Sequence, residues 1–202
     1  MRVCEIFRSI QGEGTMQGSP CTFLRLAGCN LKCRWCDTPY AQEGGTELTA
    51  EEVLEGINSL GGHRICITGG EPLLQSDELV PLVKDLAMEG REIEIQTNGT
   101  QGFSSVQRFA RICMDVKCPS SGERSDLGLL RTITAKDSVK FVVLDSNDME
   151  YAEGVIGTHR IEGEIFISPV HGTDFSGIVA RIIRNDLPVR FQLQLHKLIG
   201  VR

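Results

Sequence analysis

The sequence lacks the features that would assign the chain to a membrane, a secretory route or a repeat array. No apolar run approaches the ~20 residues that a helix needs to cross a bilayer. The N-terminus, "MRVCEIFRS", has no long apolar core and no small-residue cleavage site, so we expect no signal peptide. No tandem repeat, low-complexity tract or linker is visible. We therefore expect one domain, residues 1–202, which is long enough for a substantial core.

Basic charge is also scarce. The chain has 21 Lys and Arg against 27 Asp and Glu, which gives a formal net charge of −6 at pH 7. A broad nucleic-acid-binding surface is therefore not expected. Hydrophobic residues make up 41% and charged residues 24% of the chain, and both fractions are ordinary for a globular protein.

The 8 cysteines are not arranged as a disulfide framework. Five are scattered, mostly in apolar, strand-like runs where a free cysteine is usually a small core residue: Cys4, Cys21, Cys66, Cys113 and Cys118. This distribution predicts a reducing, cytoplasmic setting.

The other three cysteines, Cys29, Cys33 and Cys36, lie in "GCNLKCRWCDT" with the spacing C-x3-C-x2-C. Thiolates this close converge on one metal centre. A closed zinc site or an ordinary ferredoxin cluster needs four protein ligands, whereas three cysteines leave one iron of a 4Fe–4S cluster open. The spacing resembles that of radical S-adenosylmethionine (SAM) enzymes, in which SAM chelates the open iron. A zinc knuckle with a distant fourth ligand is the alternative.

Strand and helix patterns alternate along the chain, which predicts a parallel sheet covered by helices. A full barrel of eight strand–helix units takes ~250 residues, whereas this chain offers about six such units. We therefore predict an α/β fold with an incomplete, open-sided (β/α)6-type radical SAM barrel. We expect Thr49 and Glu52 to form a capping box, and Pro81 to delay the start of a helix that Ser76 could cap. The expected strands are 3–8, 21–28, 64–68, 92–97, 112–117, 139–144, 164–168 and 189–196; the expected helices are 49–60, about 76–90, 104–110, 147–156 and 174–184.

Polar loops follow the predicted strands, and in such folds the carboxyl ends of the strands carry the site. Arg25 is the only charge in the apolar strand 21–28. A buried arginine is costly unless it faces a polar cavity or an anion, so Arg25 is a candidate carboxylate clamp.

In "GGEP", Gly69 and Gly70 allow close approach of a ligand, and Glu71 can accept from an ammonium group. The four histidines have no ligand spacing, although His171 is on a predicted site loop.

Several motifs together resemble the 7-carboxy-7-deazaguanine synthases: "SIQGEG", "FLRLAGCNLKCRWCDTPYA", "TGGEPLLQ", "QTNG", "DVKCPSSG" and "QLQLHKLIG". The resemblance covers nearly the whole chain. It implies conversion of 6-carboxy-5,6,7,8-tetrahydropterin to 7-carboxy-7-deazaguanine with loss of ammonia, in queuosine and related deazapurine synthesis. It also implies a 4Fe–4S cluster, SAM, Mg²⁺, a homodimer and an electron donor such as flavodoxin or ferredoxin.

The resemblance also implies roles for individual residues. Thr38 matches the magnesium ligand. The implied substrate contacts are Ile10, Gln11, Gly12, Arg25, Thr68 and Arg202, although the terminal residue type differs from the family's. The implied SAM contacts are Trp35, Cys36, Asp37, Gly70, Glu71, Asp115, Val116 and Lys117; the family often has "SPK" at the last three positions.

Two other classes remain open from the residues alone. A glycyl-radical-enzyme activase shares the three-cysteine spacing, but "SIQGEG" and Arg25 argue against it. A non-enzymatic iron–sulfur or zinc module does not explain "GGEP" or an open fourth ligand position.

Overall fold

The structure, a computed structural model, describes residues 1–201. Within these residues the strands are β1 (Arg2–Ile10), β2 (Pro20–Leu26), β3 (Thr46–Glu47), β4 (Arg64–Gly69), β5 (Glu92–Thr97), β6 (Arg111–Val116), β7 (Ser138–Val143), β8 (Glu164–Pro169) and β9 (Arg190–Phe191). The helices are α1 (Ala50–Leu60), α2 (Ser76–Met88), α3 (Ser104–Gln107), α4 (Ser146–Thr158), α5 (Ser176–Arg184) and α6 (Leu195–Ile199).

The strands form one sheet in the order β3-β1-β2-β4-β5-β6-β7-β8-β9. All neighbours from β2 to β9 are parallel, whereas β1 pairs antiparallel with β2 and β3 antiparallel with β1. The predicted open-sided parallel sheet covered by helices is therefore confirmed, with an antiparallel extension at its N-terminal edge. None of the helices in residues 1–201 is both long and apolar enough to cross a bilayer.

The two faces of the sheet differ in polarity because side chains alternate along each strand. On β4 and β5, Ile65, Ile67 and Ile95 belong to the main apolar core with residues from the helices. The alternate positions on the same strands include Thr68 and Gln96, which line a cavity. The helices therefore cover an apolar face, and the concave face keeps its polar groups.

Local sequence explains the start of α1. Thr49 Oγ1 accepts from the Glu52 N–H at 3.2 Å, and Glu52 Oε2 accepts from the Thr49 N–H at 2.8 Å. The predicted capping box is confirmed, and Gly61 ends the helix with φ 65°.

The prediction that Pro81 delays the second helix is wrong. Helix α2 begins at Ser76, directly after a 3-10 turn, and includes Pro81; Ser76 is its first residue, not its cap. A proline inside a helix costs about 3 kcal/mol. Burial of one face, formed by Leu79, Leu82, Val83 and Leu86, offsets that cost.

The predicted strand over residues 189–196 is also wrong beyond its first part. Only Arg190–Phe191 pairs with β8, and α6 begins at Leu195. The Gln192 side chain instead exchanges two hydrogen bonds with the backbone of Gly14, at 2.8 and 3.0 Å. The Leu195 N–H donates to the Gly12 carbonyl at 3.0 Å. The Gln192 backbone N–H still donates to the Ile167 carbonyl of β8 at 2.9 Å, and after it the chain contacts the N-terminal loop and turns into α6. The predicted helix over residues 104–110 is likewise shorter, because α3 ends at Gln107.

Candidate functional site

The concave face of the sheet encloses a cavity of ≈ 570 Å³. Its lining comes from the loop after β2, the ends of β4 to β7, the loop between β1 and β2, and the C-terminal segment. Most of the residues predicted to form a site line this cavity: Ile10, Gln11, Gly12, Arg25, Cys29, Cys33, Trp35, Cys36, Asp37, Thr38, Thr68, Gly70, Asp115 and Lys117. Val116 is buried in the apolar core instead, and Arg202 lies outside the described residues.

The three-cysteine loop is attached to the rest of the fold through its backbone. The Lys32 N–H donates to Glu123 Oε1 at 2.7 Å, and the Arg34 N–H donates to the Ser121 carbonyl at 3.0 Å. At the start of the loop, the Gly28 N–H donates to the Ala41 carbonyl at 2.8 Å. These bonds hold Cys29, Cys33 and Cys36 on the wall of the cavity, half-buried and in no disulfide.

Hydrogen-bond donors and a positive charge lie near the thiols. Within residues 1–201, no three His, Cys, Asp or Glu side chains gather closely enough to hold one metal ion. In a 4Fe–4S cluster each thiolate binds a different iron, so the sulfur atoms surround a larger volume. Two N–H groups reach Cys29 Sγ, from Leu31 at 3.5 Å and from the Asn98 side chain at 3.9 Å. Burial raises the pKa of the Cys33 thiol, and the positive charge of Lys117 opposes that rise.

Gly69 and Gly70 allow the end of β4 to approach the three-cysteine loop. A Cβ on Gly70 would lie 2.1 Å from the Gly28 carbonyl oxygen, and a Cβ on Gly69 would lie 2.1 Å from the Leu26 carbonyl oxygen. Gly69 also has φ 146°, which L side chains rarely adopt. The Glu71 N–H donates to the Gly28 carbonyl at 2.8 Å. Backbone packing is therefore one reason for glycine at both positions.

Glu71 is fully buried and is not part of the cavity lining. Its carboxylate accepts from the Leu73 N–H at 3.0 Å, the Thr97 hydroxyl at 2.9 Å and the Asn98 N–H at 2.6 Å. Burial raises the pKa of this carboxyl, and the three hydrogen bonds oppose the rise. Glu71 thus joins the ends of β4 and β5, next to the cavity residues Gly70, Thr97 and Asn98.

Arg25 and Thr68 are paired across β2 and β4, on the wall of the cavity. The Thr68 hydroxyl donates to Gln96 Oε1 at 3.4 Å on the next strand. Arg25 Nε donates to Glu5 Oε1 at 2.9 Å, and its guanidinium lies 5.6 Å from the Phe7 ring centre. Arg25 is the only charge of β2, and the antiparallel strand β1 supplies a carboxylate beside it.

The loop between β1 and β2 folds into the concave face, and its residues Gln11 to Gly14 are buried. Gln11 Nε2 donates to Glu94 Oε1 at 3.1 Å, and the Thr15 hydroxyl donates to Glu94 Oε2 at 3.2 Å. Gly12 packs against His196, whose Nδ1 would lie 1.9 Å from a Cβ at that position. The loop is therefore an ordered part of the cavity wall.

Two cavity residues that carry buried charge were not found from the sequence: Glu13 and Lys140. Their side chains form a salt bridge and are each 8% exposed. Lys140 Nζ also lies 3.5 Å from Asp115 Oδ2, and Lys117 Nζ lies 3.1 Å from the same oxygen. Burial opposes ionisation of Glu13, but the charge and hydrogen bond of Lys140 outweigh it and lower the pKa. For Lys140, burial is likewise outweighed by Glu13 and Asp115, which raise its pKa.

Thr38 and Asp37 lie on the cavity wall after the last cysteine. Thr38 precedes the 3-10 turn Pro39–Ala41, but its side chain makes no capping hydrogen bond there. Asp37 Oδ2 lies 3.4 Å from Lys197 Nζ on α6.

Two histidines, His171 and His196, also line the cavity, and burial lowers the pKa of His196.

Comparisons with known proteins agree with this arrangement. Residues 24–116 match the model of the radical SAM superfamily. The chain is 51% identical to the 7-carboxy-7-deazaguanine synthase of Methanospirillum hungatei, over 100% of this chain and 86% of that protein. It is 36% identical to the protein of the same name from Koribacter versatilis, over 98% of this chain and 96% of that protein.

Solved structures show the same fold. The crystal structure of QueE from Escherichia coli superposes with a TM-score of 0.80 at 23% identity, covering 96% of this chain and 94% of that one. SuiB from Streptococcus suis superposes with a TM-score of 0.60 at 14% identity, covering 82% of this chain and 46% of that one. Identity over the full chain with the synthases, together with the superfamily match across the three cysteines, leads to one conclusion: the chain belongs to the 7-carboxy-7-deazaguanine synthase family of radical SAM proteins.

Proposed function

We propose that the chain converts 6-carboxy-5,6,7,8-tetrahydropterin to 7-carboxy-7-deazaguanine with loss of ammonia, in queuosine and related deazapurine synthesis. The observation that carries the proposal is one cavity lined by both the three cysteines and Arg25. A cluster-bound cofactor and a carboxylate substrate could then share a single space. We also propose that residues 1–202 form one domain.

Cys29, Cys33 and Cys36 would hold the 4Fe–4S cluster. When bound, the cluster and SAM would supply radical chemistry at the substrate. The proposed SAM contacts on the cavity wall are Trp35, Asp37, Gly70, Asp115 and Lys117. Glu71 and Val116 would act through these neighbours, because neither lines the cavity.

Arg25 would bind the substrate carboxylate, and Thr68 would contact the same substrate from the adjacent strand. Ile10, Gln11 and Gly12 would contact the pterin ring, and the folding of their loop into the cavity supports that role. Thr38 would supply an oxygen to Mg²⁺. The resemblance also proposes Arg202 as a substrate contact, a homodimer, and an electron donor such as flavodoxin or ferredoxin.

The decisive experiment is anaerobic incubation of the reconstituted protein with SAM, a reductant and the carboxytetrahydropterin, with product mass read directly. The proposal requires 7-carboxy-7-deazaguanine and release of ammonia. Cys29→Ala, Cys33→Ala and Cys36→Ala should each abolish SAM cleavage. Turnover that appears only with a protein substrate would indicate an activase, and stoichiometric zinc without iron uptake would indicate a metal module with no radical chemistry.

A further inference from the structure

The exposed rim of the three-cysteine loop carries unpaired positive charge. Lys32 and Arg34 lie on either side of Cys33, and both are exposed. Arg124, on the segment to which this loop is attached, is also exposed. None of these three side chains forms a salt bridge with any of residues 1–201. The chain as a whole has a net charge of −6.

Hydrogen bonds attach Lys32 and Arg34 to the segment that carries Arg124. The Arg34 N–H donates to the Ser121 carbonyl at 3.0 Å, and a Cβ on Gly122 would lie 3.5 Å from Arg34 Nε. The Arg34 side chain therefore lies beside Gly122, two residues before Arg124. The Lys32 N–H donates to Glu123 Oε1 at 2.7 Å. Glu123 and the exposed Asp126 are the acidic residues on this segment, so the basic patch formed by Lys32, Arg34 and Arg124 sets three positive charges against two negative ones.

We propose that the basic patch is the docking surface for an acidic protein that carries single electrons. The inference rests on the proposed function, because that function needs one external electron for each reductive cleavage of SAM. In each encounter the carrier loses one electron and the cluster gains one, and no covalent bond forms. The patch includes both neighbours of Cys33, so a carrier bound there would lie next to the cluster.

Charge complementarity selects this kind of partner. Two acidic proteins repel each other over most of their surfaces, and a basic patch on one of them makes one orientation favourable. Electron-transfer encounters are small and transient, so a few charges are enough to direct them. Steering of this kind changes association rates by roughly 10- to 1,000-fold and is weakened by salt.

The test uses the reconstituted holoenzyme and two reductants: flavodoxin reduced by its reductase and NADPH, and dithionite with methyl viologen. The triple variant Lys32→Glu, Arg34→Glu, Arg124→Glu should lose at least about tenfold in flavodoxin-driven kcat/KM at low salt. Its dithionite-driven turnover and iron content should match those of the parent. Calorimetric titration of oxidised flavodoxin should show a matching loss of affinity, and salt should weaken binding to the parent far more than to the variant.

The matched control reverses three exposed charges elsewhere that also form no salt bridge: Lys84→Glu, Arg111→Glu and Arg131→Glu. An equal loss of flavodoxin-driven kcat/KM in this control would mean that net charge alone causes the effect, and it would overturn the proposal. Three other results would overturn it: a patch variant within twofold of the parent, an equal loss with dithionite, or a change in oligomeric state that assigns the patch to contact between copies. If the parent forms no product with dithionite, the proposed function fails, and the flavodoxin titration still decides whether the patch binds an acidic carrier.

Discussion

Arg25 and Glu5 form an ion pair at the cavity wall, with 2.9 Å between Arg25 Nε and Glu5 Oε1. The two residues are partners across the antiparallel strands β1 and β2, and their side chains are 13% and 16% exposed. The contact runs through Nε, and a guanidinium has four further N–H donors on its Nη atoms. Glu5 can therefore orient Arg25 while leaving it able to bind a carboxylate in a bidentate manner.

Arg25→Ala should raise the KM for the carboxytetrahydropterin strongly, because truncating one partner of a buried charged pair costs about 2–5 kcal/mol. Iron content and SAM cleavage without substrate should survive. Steady-state kinetics and uncoupled cleavage of SAM measure the two effects separately. Glu5→Gln is the matched control, since it keeps an oxygen acceptor for Nε and leaves the arginine in place. Unchanged turnover of Arg25→Ala at low substrate would show that Arg25 does not bind the carboxylate.

The salt bridge between Glu13 and Lys140 predicts a strong dependence of stability on both partners. Lys140→Met should destabilise the protein by about 3–5 kcal/mol, because it leaves a buried carboxylate without its counter-charge. The double variant Glu13→Gln, Lys140→Met should recover much of that loss. Anaerobic denaturant unfolding of the reconstituted proteins gives both free energies. Equal stability of the single and double variants would mean that the uncompensated charge is not the cause.

Glu94 predicts a pH dependence of stability. Burial raises its pKa to about 7, and the Thr15 hydroxyl and Lys140 oppose that rise. The folded state then holds a proton that the unfolded state releases near its ordinary pKa of 4.5. The stabilising effect of this proton is present at low pH and is lost as the pH rises from 4.5 through about 7.

Glu94→Gln should remove this dependence while keeping an oxygen that accepts from Gln11. The variant should therefore gain thermal stability relative to the parent at pH 8, and gain little at pH 5. Anaerobic melting curves of both proteins across that range measure the difference. Parallel pH profiles for parent and variant would show that Glu94 has the same protonation in the folded and unfolded states.

The sequence was most informative where the signal is local. The cysteine spacing, "GGEP" and the Thr49–Glu52 capping box each lie within a few residues, and the cavity was predicted because strand ends of a parallel sheet share one edge. Lys140 could have been found by the argument applied to Arg25, since it is a charge inside the apolar run "VKFVV". Its partner Glu13 could not, because the two residues are 127 positions apart and meet only through the fold.

What the sequence failed to predict also depends on contacts between residues that are far apart in the chain. "VRFQLQLH" alternates like a strand, but the backbone of Gly14 takes up the Gln192 side chain and the chain turns into α6. The carboxylate beside Arg25 was not predicted, because Glu5 is 20 residues away on a strand whose pairing the pattern did not specify. In both cases long-range pairing, which local pattern does not encode, decided the outcome.

The last prediction is that Thr38 is a ligand of magnesium. Its hydroxyl lies on the cavity wall and makes no capping bond to the following 3-10 turn. Mg²⁺ prefers oxygen ligands and gives up water reluctantly, so one neutral hydroxyl would bind it weakly without substrate. The substrate's carboxylate and other oxygens would complete the coordination shell, and metal and substrate should then raise each other's affinity. Chelation by EDTA should slow product formation, leave the iron–sulfur spectrum intact, and be reversed by added Mg²⁺.

Thr38→Ala should raise the Mg²⁺ concentration needed for half-maximal turnover without lowering iron content. Thr38→Ser keeps the hydroxyl and should behave like the parent, which separates loss of a ligand from disturbance of the turn before Pro39. Titrating Mg²⁺ at several substrate concentrations also tests the coupling, because the half-saturating metal concentration should fall as substrate rises. If Thr38→Ala keeps the parent's half-saturating concentration and the same dependence on substrate, Thr38 is a turn residue and the magnesium ion is held by other groups.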